Sequence, residues 1–187
     1  MLVGTGAIAH RFSDFALRSD YFVYAGAVHD SLVVDDAVFQ EDRRVLIESL
    51  EKAAGRYFVY FSSCSVAQEG NVCSPYVQHK REMELVVREY ASRYIIVRLP
   101  QFVGLHCEDS NLLNFLVDSV RLQTPFKLWA NSFRNIIDID DVYELVSEVL
   151  RDDSFVNSTV TVASPRQTSV EEIVRRIEAF FEVSALS

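Results

Sequence analysis

A chain of 187 residues, 49% apolar and 24% charged, has the length and composition of one soluble globular domain with a sizeable core. Its formal net charge of −9 argues against nucleic acid and anionic membranes as partners; no apolar run spans a bilayer, and the opening residues do not read as a signal peptide. Cys64, Cys73 and Cys107 are odd in number and lack C-x-x-C spacing, which fits free thiols in a reducing cytoplasm, and His10, His29, His79 and His106 lack ligand spacing, so no metal is expected.

Residues 1–3 read as a very short strand, followed by the turn Gly4-x-Gly6-x-x-Ala9. Ile8, Phe12, Phe15 and Ala16 then recur at i, i+4, i+7 and i+8, the apolar face of a helix. Strand, glycine turn and helix in this order form the setting in which G-x-G-x-x-G/A binds a dinucleotide pyrophosphate. Gly4 would make the tight turn, Gly6 would let phosphate approach the backbone, and Ala9 would allow close helix packing. The helix start would add N–H donors and partial positive charge. Residues 21–28 read as the next strand, with Asp30 following about 20 residues past the glycines, where a ribose-binding acid belongs. Residues 36–54 form a helix with Val38, Val45, Leu46, Leu50 and Ala53 inward and Gly55 at its C-terminal end.

The centre of the chain is F-V-Y-F-S-S-C-S-V, residues 58–66, followed by S-P-Y-V-Q-H-K, residues 74–80. The first is a buried strand that breaks into small hydroxyl residues, as at an active-site edge. The second opens a helix over 75–92, with Ser74 as N-cap and Pro75 at the first helical position. Val77, Leu85, Val86 and Tyr90 are among its apolar positions. Tyr76 and Lys80, four apart, share one helical face. An ammonium group beside a phenol favours the phenolate and brings it towards the range useful for proton transfer. A plain helix-surface pair is the competing reading. Against it stands the scarcity of lysine, since Lys52, Lys80 and Lys127 are the only three.

Residues 94–99 are another continuous apolar strand, 111–122 a helix, and 126–129 a short strand. Asp140 or Asp141 caps a helix over 142–150, and 160–163 form the last strand. Ser169 with Glu172 has the form of a capping box, ahead of an apolar stripe at Ile173, Ile177, Phe180 and Phe181. Alternating apolar strands and amphipathic helices give an α/β fold.

S-S-C-S-V with Y-V-Q-H-K resembles the Ser…Tyr-x-x-x-Lys signature of the extended short-chain dehydrogenase/reductases, the NAD-dependent epimerase/dehydratase group. V-G-T-G-A-I-A, V-R-L-P-Q-F-V-G and R-N-I-I-D-I-D-D-V resemble further segments of that family, in family order. The resemblance implies a single NAD(P)-binding Rossmann-like domain over 1–187. Its mostly parallel sheet is flanked by helices, and its substrate lobe is reduced. On this alignment the 21–28 strand matches the family's fourth through its Ala25-Gly26 end. The second and third strands are then missing, and with them the adenosine-ribose acid, a role Asp30 does not inherit.

The resemblance further implies Tyr76 as acid/base, Lys80 as its pKa-lowering partner and nicotinamide-ribose contact, and Ser63 as the residue orienting the substrate oxygen. Ser63 is preferred to Ser62 because the family spacing Ser-x-x-Val ends here at Val66. NAD or NADP would lie on Gly4, Gly6, Ala9, Ala25, Gly26 and Lys80. Ser65, Gln101, Asn111 and Arg134 would contact a nucleotide-linked sugar or other small molecule, and Arg134 has a solvated loop charge as its plainer reading. Expected activity is oxidoreduction, epimerisation or dehydration of such a sugar, in cell-surface polysaccharide synthesis. A homodimer is expected through helices 36–54 and 75–92, using Phe39, Ile47, Met83 and Val87, with completion of the monomer's own core as the competing reading. The alternative function is a catalytically reduced binding or regulatory protein of the same fold, because a sheet lacking two strands proceeds one way and loses the crevice where strand order reverses.

Overall fold

The computed structural model describes residues 1–67, 74–107, 112–128 and 131–186. The elements in chain order are β1 (Leu2–Val3), α1 (Ala7–Arg11), β2 (Tyr21–Tyr24), α2 (Asp36–Ala53), β3 (Tyr57–Ser63), α3 (Pro75–Tyr90) and β4 (Tyr94–Leu99). Then follow β5 (Gln101–Val103), α4 (Leu112–Arg121), β6 (Phe133–Asp138), α5 (Ile139–Val149), β7 (Ser158–Thr161), β8 (Gln167–Ser169) and α6 (Val170–Phe181).

The main sheet is parallel throughout, in the order β1-β2-β3-β4-β7. Strand order never reverses in it, and β1 lies at its edge. Both faces are covered, so the central strands are apolar without alternation. Val23, Val59, Phe61, Ile95 and Val97 point into a core closed by Phe12, Phe15 and the α5 residues Val142 and Val146. Phe22, Tyr24, Phe58, Tyr60 and Ile96 face the opposite way, onto Leu46 and Leu50 of α2 and Met83, Val86 and Val87 of α3. A second sheet, β5-β6-β8, pairs β5 with β6 in parallel and β6 with β8 antiparallel. Ile136 of this sheet packs on a cluster formed by α4 and α6.

Several expectations are corrected. β2 ends at Tyr24, not at residue 28, and β7 runs over Ser158–Thr161 instead of 160–163. Residues 126–128 form no strand, and residue 129 lies outside the described residues. The helix after the glycine turn stops at Arg11; Phe12 and Phe15 reach the core through a 3-10 turn over Ser13–Leu17, and Ala16 is exposed. α5 starts at Ile139, capped by the Asp138 carboxylate, which accepts the Asp140 N–H at 2.8 Å, so neither Asp140 nor Asp141 caps it. Val38, Leu85, Tyr90 and Phe180 point outward. Of the four residues expected at a dimer surface, Met83 and Val87 lie fully in the chain's own core, Phe39 is also buried, and Ile47 packs against that core. Among the described residues no helix is long and apolar enough to cross a membrane.

Candidate active site

The expected trio converges. Ser74 caps α3 by accepting the Val77 N–H at 3.3 Å, and Pro75 follows at the first turn, where its missing N–H costs nothing. That start places Tyr76 and, one turn on, Lys80 on the buried side of α3. Ser63 is the last residue of β3. Its hydroxyl lies 2.8 Å from the Ser65 hydroxyl, accepts the Ser65 N–H at 3.2 Å, and favours the ionised form of the Tyr76 phenol. The Lys80 Nζ is 5.7 Å from the ring centre of Tyr76 and also 5.7 Å from that of Tyr60. Ser62, the serine not preferred, points the other way and donates to Glu84 at 2.7 Å.

The electrostatics differ from the expected scheme. Burial pushes the Tyr76 phenol above its ordinary value; Ser63 opposes this, while Asp42 and Asp30 reinforce it. Lys80 is desolvated as well. Burial drives its ammonium down to about 8, against the raising influence of Asp42 and Glu84. In this structure Tyr76 is therefore a protonated phenol, suited to donate a proton before it can accept one.

The residues expected to hold a dinucleotide are adjacent. Gly4 has φ +126°, and a Cβ there would meet the Ala25 carbonyl oxygen at 2.5 Å and the Gly26 nitrogen at 2.9 Å. The turn after β1 thus presses on the end of β2, fixed further by the Ala25 N–H donating to the Val3 carbonyl at 2.7 Å. Only glycine suits both the left-handed backbone and the contact. Gly6 caps α1 with open space where a side chain would be, and Ala9 is buried on α1. Gly6 leaves this turn open at one position, which suits the close approach of a pyrophosphate to the backbone.

The sugar-contact residues are more dispersed. Ser65 is bonded to Ser63, and Gln101 opens β5 two residues past Leu99, which pairs with Ser63. Arg134 is on β6 opposite Thr168, and its guanidinium donates to Ser132 Oγ at 2.7 Å and the Phe133 carbonyl at 2.9 Å. Asn111 lies outside the described residues. Among the described residues no group of three or more His, Cys, Asp or Glu is placed to hold a metal ion.

Two buried ionic clusters behind the trio escaped sequence reasoning. Asp42 of α2 accepts the Tyr24 hydroxyl at 2.8 Å and the Val28 N–H at 3.3 Å, and its other close partner is His79 Nε2 at 2.8 Å. Glu84 of α3 accepts both Arg98 Nε at 2.9 Å and Nη2 at 2.7 Å, with Ser62 and Arg88 on the same carboxylate. The available signal was positional. Asp42 falls between Phe39 and Leu46 on the inward stripe of α2, and Glu84 falls one turn after Lys80. A charge on a buried stripe demands a partner.

Comparison with known proteins follows from this geometry. Residues 11–163 match the family model described as NAD dependent epimerase/dehydratase family, a match that begins just past the glycine turn. No curated protein matches the chain in sequence. The fold is similar to the epimerase Mth375 from Methanothermobacter thermautotrophicus (TM-score 0.79, 17% identity, 98% of this chain and 63% of that one). It is also similar to UDP-glucuronic acid 4-epimerase from Bacillus cereus in complex with UDP-glucuronic acid and NAD (TM-score 0.77, 17% identity, 96% and 63%). A third similar structure is MoeE5 in complex with UDP-glucuronic acid and NAD (TM-score 0.75, 16% identity, 89% and 64%). The chain spans less than two thirds of the length of each.

Proposed function

The chain belongs to the NAD dependent epimerase/dehydratase family, and from that premise we propose that it binds NAD or NADP and acts on a nucleotide-linked sugar as an epimerase, dehydratase or reductase. The observation that carries this reading is the convergence of Ser63, Tyr76 and Lys80 at the end of β3, in the same fold as the Gly4/Ala25-Gly26 cradle. The Gly4–Gly6 backbone would hold the pyrophosphate, Ala25 and Gly26 would line the cofactor's path, and Lys80 would reach the nicotinamide ribose. The cofactor supplies hydride transfer when bound. Tyr76 holds or moves the proton at the substrate oxygen, and Ser63 orients that oxygen. Affinity would rest on the pyrophosphate and nicotinamide halves, because the alignment that the resemblance implies leaves no strand for an adenosine-ribose acid. Structures of the same fold hold UDP-glucuronic acid or UDP-glucose together with NAD, which supports a nucleotide sugar as substrate class.

One observation favours a second reading. The sheet proceeds in one direction, without the reversal that ordinarily makes the dinucleotide crevice. On that reading the chain binds a nucleotide sugar without turnover. Incubation with UDP-glucose, UDP-glucuronic acid and UDP-N-acetylglucosamine, with NAD or NADP present, followed by proton NMR of the anomeric region, separates the two. The enzymatic reading expects new anomeric signals from at least one sugar. Unchanged spectra alongside saturable sugar binding would replace it with the second.

A further inference from the structure

α1, which the glycine turn opens onto, is five residues long. A helix so short does not hold its shape alone, so its position is set by what its side chains touch. Ala7, Ile8 and Ala9 are buried, and the next two residues reach outward to other elements. The His10 ring stacks on that of His106, with centroids 4.5 Å apart and planes 18° apart. Arg11 Nε donates to Asp140 at 2.5 Å, and the guanidinium carbon lies 3.7 Å from the ring centre of Tyr143. The Tyr143 hydroxyl in turn donates to Asp14 at 2.8 Å, in the turn that follows α1. The residues that grip α1 from outside come just after the ends of the second sheet. β5 and β6 are parallel and finish in register, Val103 opposite Asp138. His106 lies in the loop beyond the first end, and Asp140 and Tyr143 lie on α5, beyond the second. Both exits are fixed. Gly104 has φ +131°, and a Cβ there would meet Ile139 Cγ2 at 2.6 Å, so this loop lies against the first residue of α5. His106 has φ +63°, a left-handed backbone that is costly for a residue with a side chain and persists where the surroundings over-determine it. The residue held in this way is the one whose ring meets His10.

We propose that α1 is a joint that couples two ligand sites, through the stack of His10 on His106 and the grip of Asp140 and Tyr143 on Arg11. A dinucleotide settled on the glycine turn orders α1, and α1 orders the ends of β5 and β6 that touch it. Gln101 opens β5 and Arg134 lies near the start of β6, so the residues expected to meet a nucleotide sugar stand on the same two strands. A sugar that orders those strands favours the ordered turn in return, because coupling between binding sites is reciprocal. The identity of the two ligands rests on the reading given under Proposed function; the joint itself does not.

Amide hydrogen exchange followed by NMR tests the joint without any ligand. The His10 N–H donates to the Gly6 carbonyl at 3.0 Å and the Phe12 N–H to the Ile8 carbonyl at 2.9 Å, so both amides report on α1. In His106→Ala they should exchange about tenfold faster than in the wild type. His106→Phe, which keeps a ring for His10 to stack on, should stay within about twofold of the wild type. Exchange at both amides unchanged in His106→Ala overturns the proposal. If His106→Ala does not fold, Asp140→Ala takes its place, with the same expected result and the same overturning one. Affinity for NADH and NADPH is then measured by protein fluorescence, with and without saturating UDP-glucose, UDP-glucuronic acid or UDP-N-acetylglucosamine. A sugar nucleotide that binds the wild type should tighten dinucleotide binding about tenfold, and that of His106→Ala by no more than about twofold. Binding of both ligands by the wild type with no mutual effect overturns the coupling. A wild type that binds neither dinucleotide, or none of the three sugar nucleotides, removes the function reading, with hydrogen exchange still deciding the joint.

Discussion

Replacing Tyr76 with phenylalanine should reduce turnover by about 10²–10⁴-fold while leaving cofactor affinity within about twofold. The ring is buried and packs in place whether or not it carries a hydroxyl. What the substitution removes is the phenol to which the proposed proton exchange with a substrate oxygen is assigned. Burial holds this phenol protonated, above its ordinary value. A rate limited by its deprotonation should therefore still climb with pH above neutrality in the wild type. That rise should be absent from the residual activity of Tyr76→Phe. Steady-state rates across pH check both statements, and a variant retaining most of the wild-type kcat would remove Tyr76 from the acid/base role.

Glu84→Ala should be the most destabilising single change at the site, by about 3 kcal/mol. Glu84 is 1% exposed and holds a two-pronged contact from Arg98, with Ser62 and Arg88 on the same carboxylate. Without it the Arg98 guanidinium, side chain 21% exposed, is left half-buried opposite a void. For a chain of this size the melting temperature should fall by roughly 10 °C. Burial works against the ionised form, yet the Arg98 and Ser62 hydrogen bonds hold the carboxyl below its ordinary 4.5. A group lowered on folding stabilises above its unfolded pKa and loses that contribution as pH falls through its folded one. The difference between wild type and Glu84→Ala should thus be full at pH 7 and shrink as pH falls below about 4.5. Thermal unfolding measured at pH 7 and pH 4 tests it, and a loss under about 1 kcal/mol at pH 7 would show that Arg98 is satisfied by solvent instead.

What could be read from the sequence follows the range of the interactions involved. β3, α3 and β4 were legible because each is decided locally: a continuous apolar run, a Ser-Pro start, a second apolar run. Helix periodicity likewise put Tyr76 and Lys80 on one face of α3, whereas the choice of Ser63 over Ser62 came from the family spacing. The one-way sheet followed from the family resemblance, which leaves the family's second and third strands without a counterpart. The second sheet was missed at β5 and β8, which are three residues long and only half-buried, so neither alternation nor a long run marks them. α5 was misplaced because I-D-I-D-D offers three aspartates as caps, and only the backbone selects Asp138. Asp42 and His79 meet across 37 residues, and no local pattern encodes that meeting. Burial reversed the expected Tyr76 shift, because desolvation of the phenol itself raises it, and burial lowers the Lys80 ammonium as well.

The central claim is that this one-way sheet carries a working dinucleotide cradle in the same chain as Ser63, Tyr76 and Lys80. Equilibrium titration of the wild-type chain and of Gly4→Ala with NADH and NADPH, followed by protein fluorescence, tests it most directly. A methyl at Gly4 would sit 2.5 Å from the Ala25 carbonyl oxygen on a backbone with φ +126°, so the variant should lose the cradle. The account predicts saturable binding of at least one dinucleotide by the wild type and none by Gly4→Ala. No binding of either dinucleotide by the wild-type chain, or equal binding by Gly4→Ala, would contradict it.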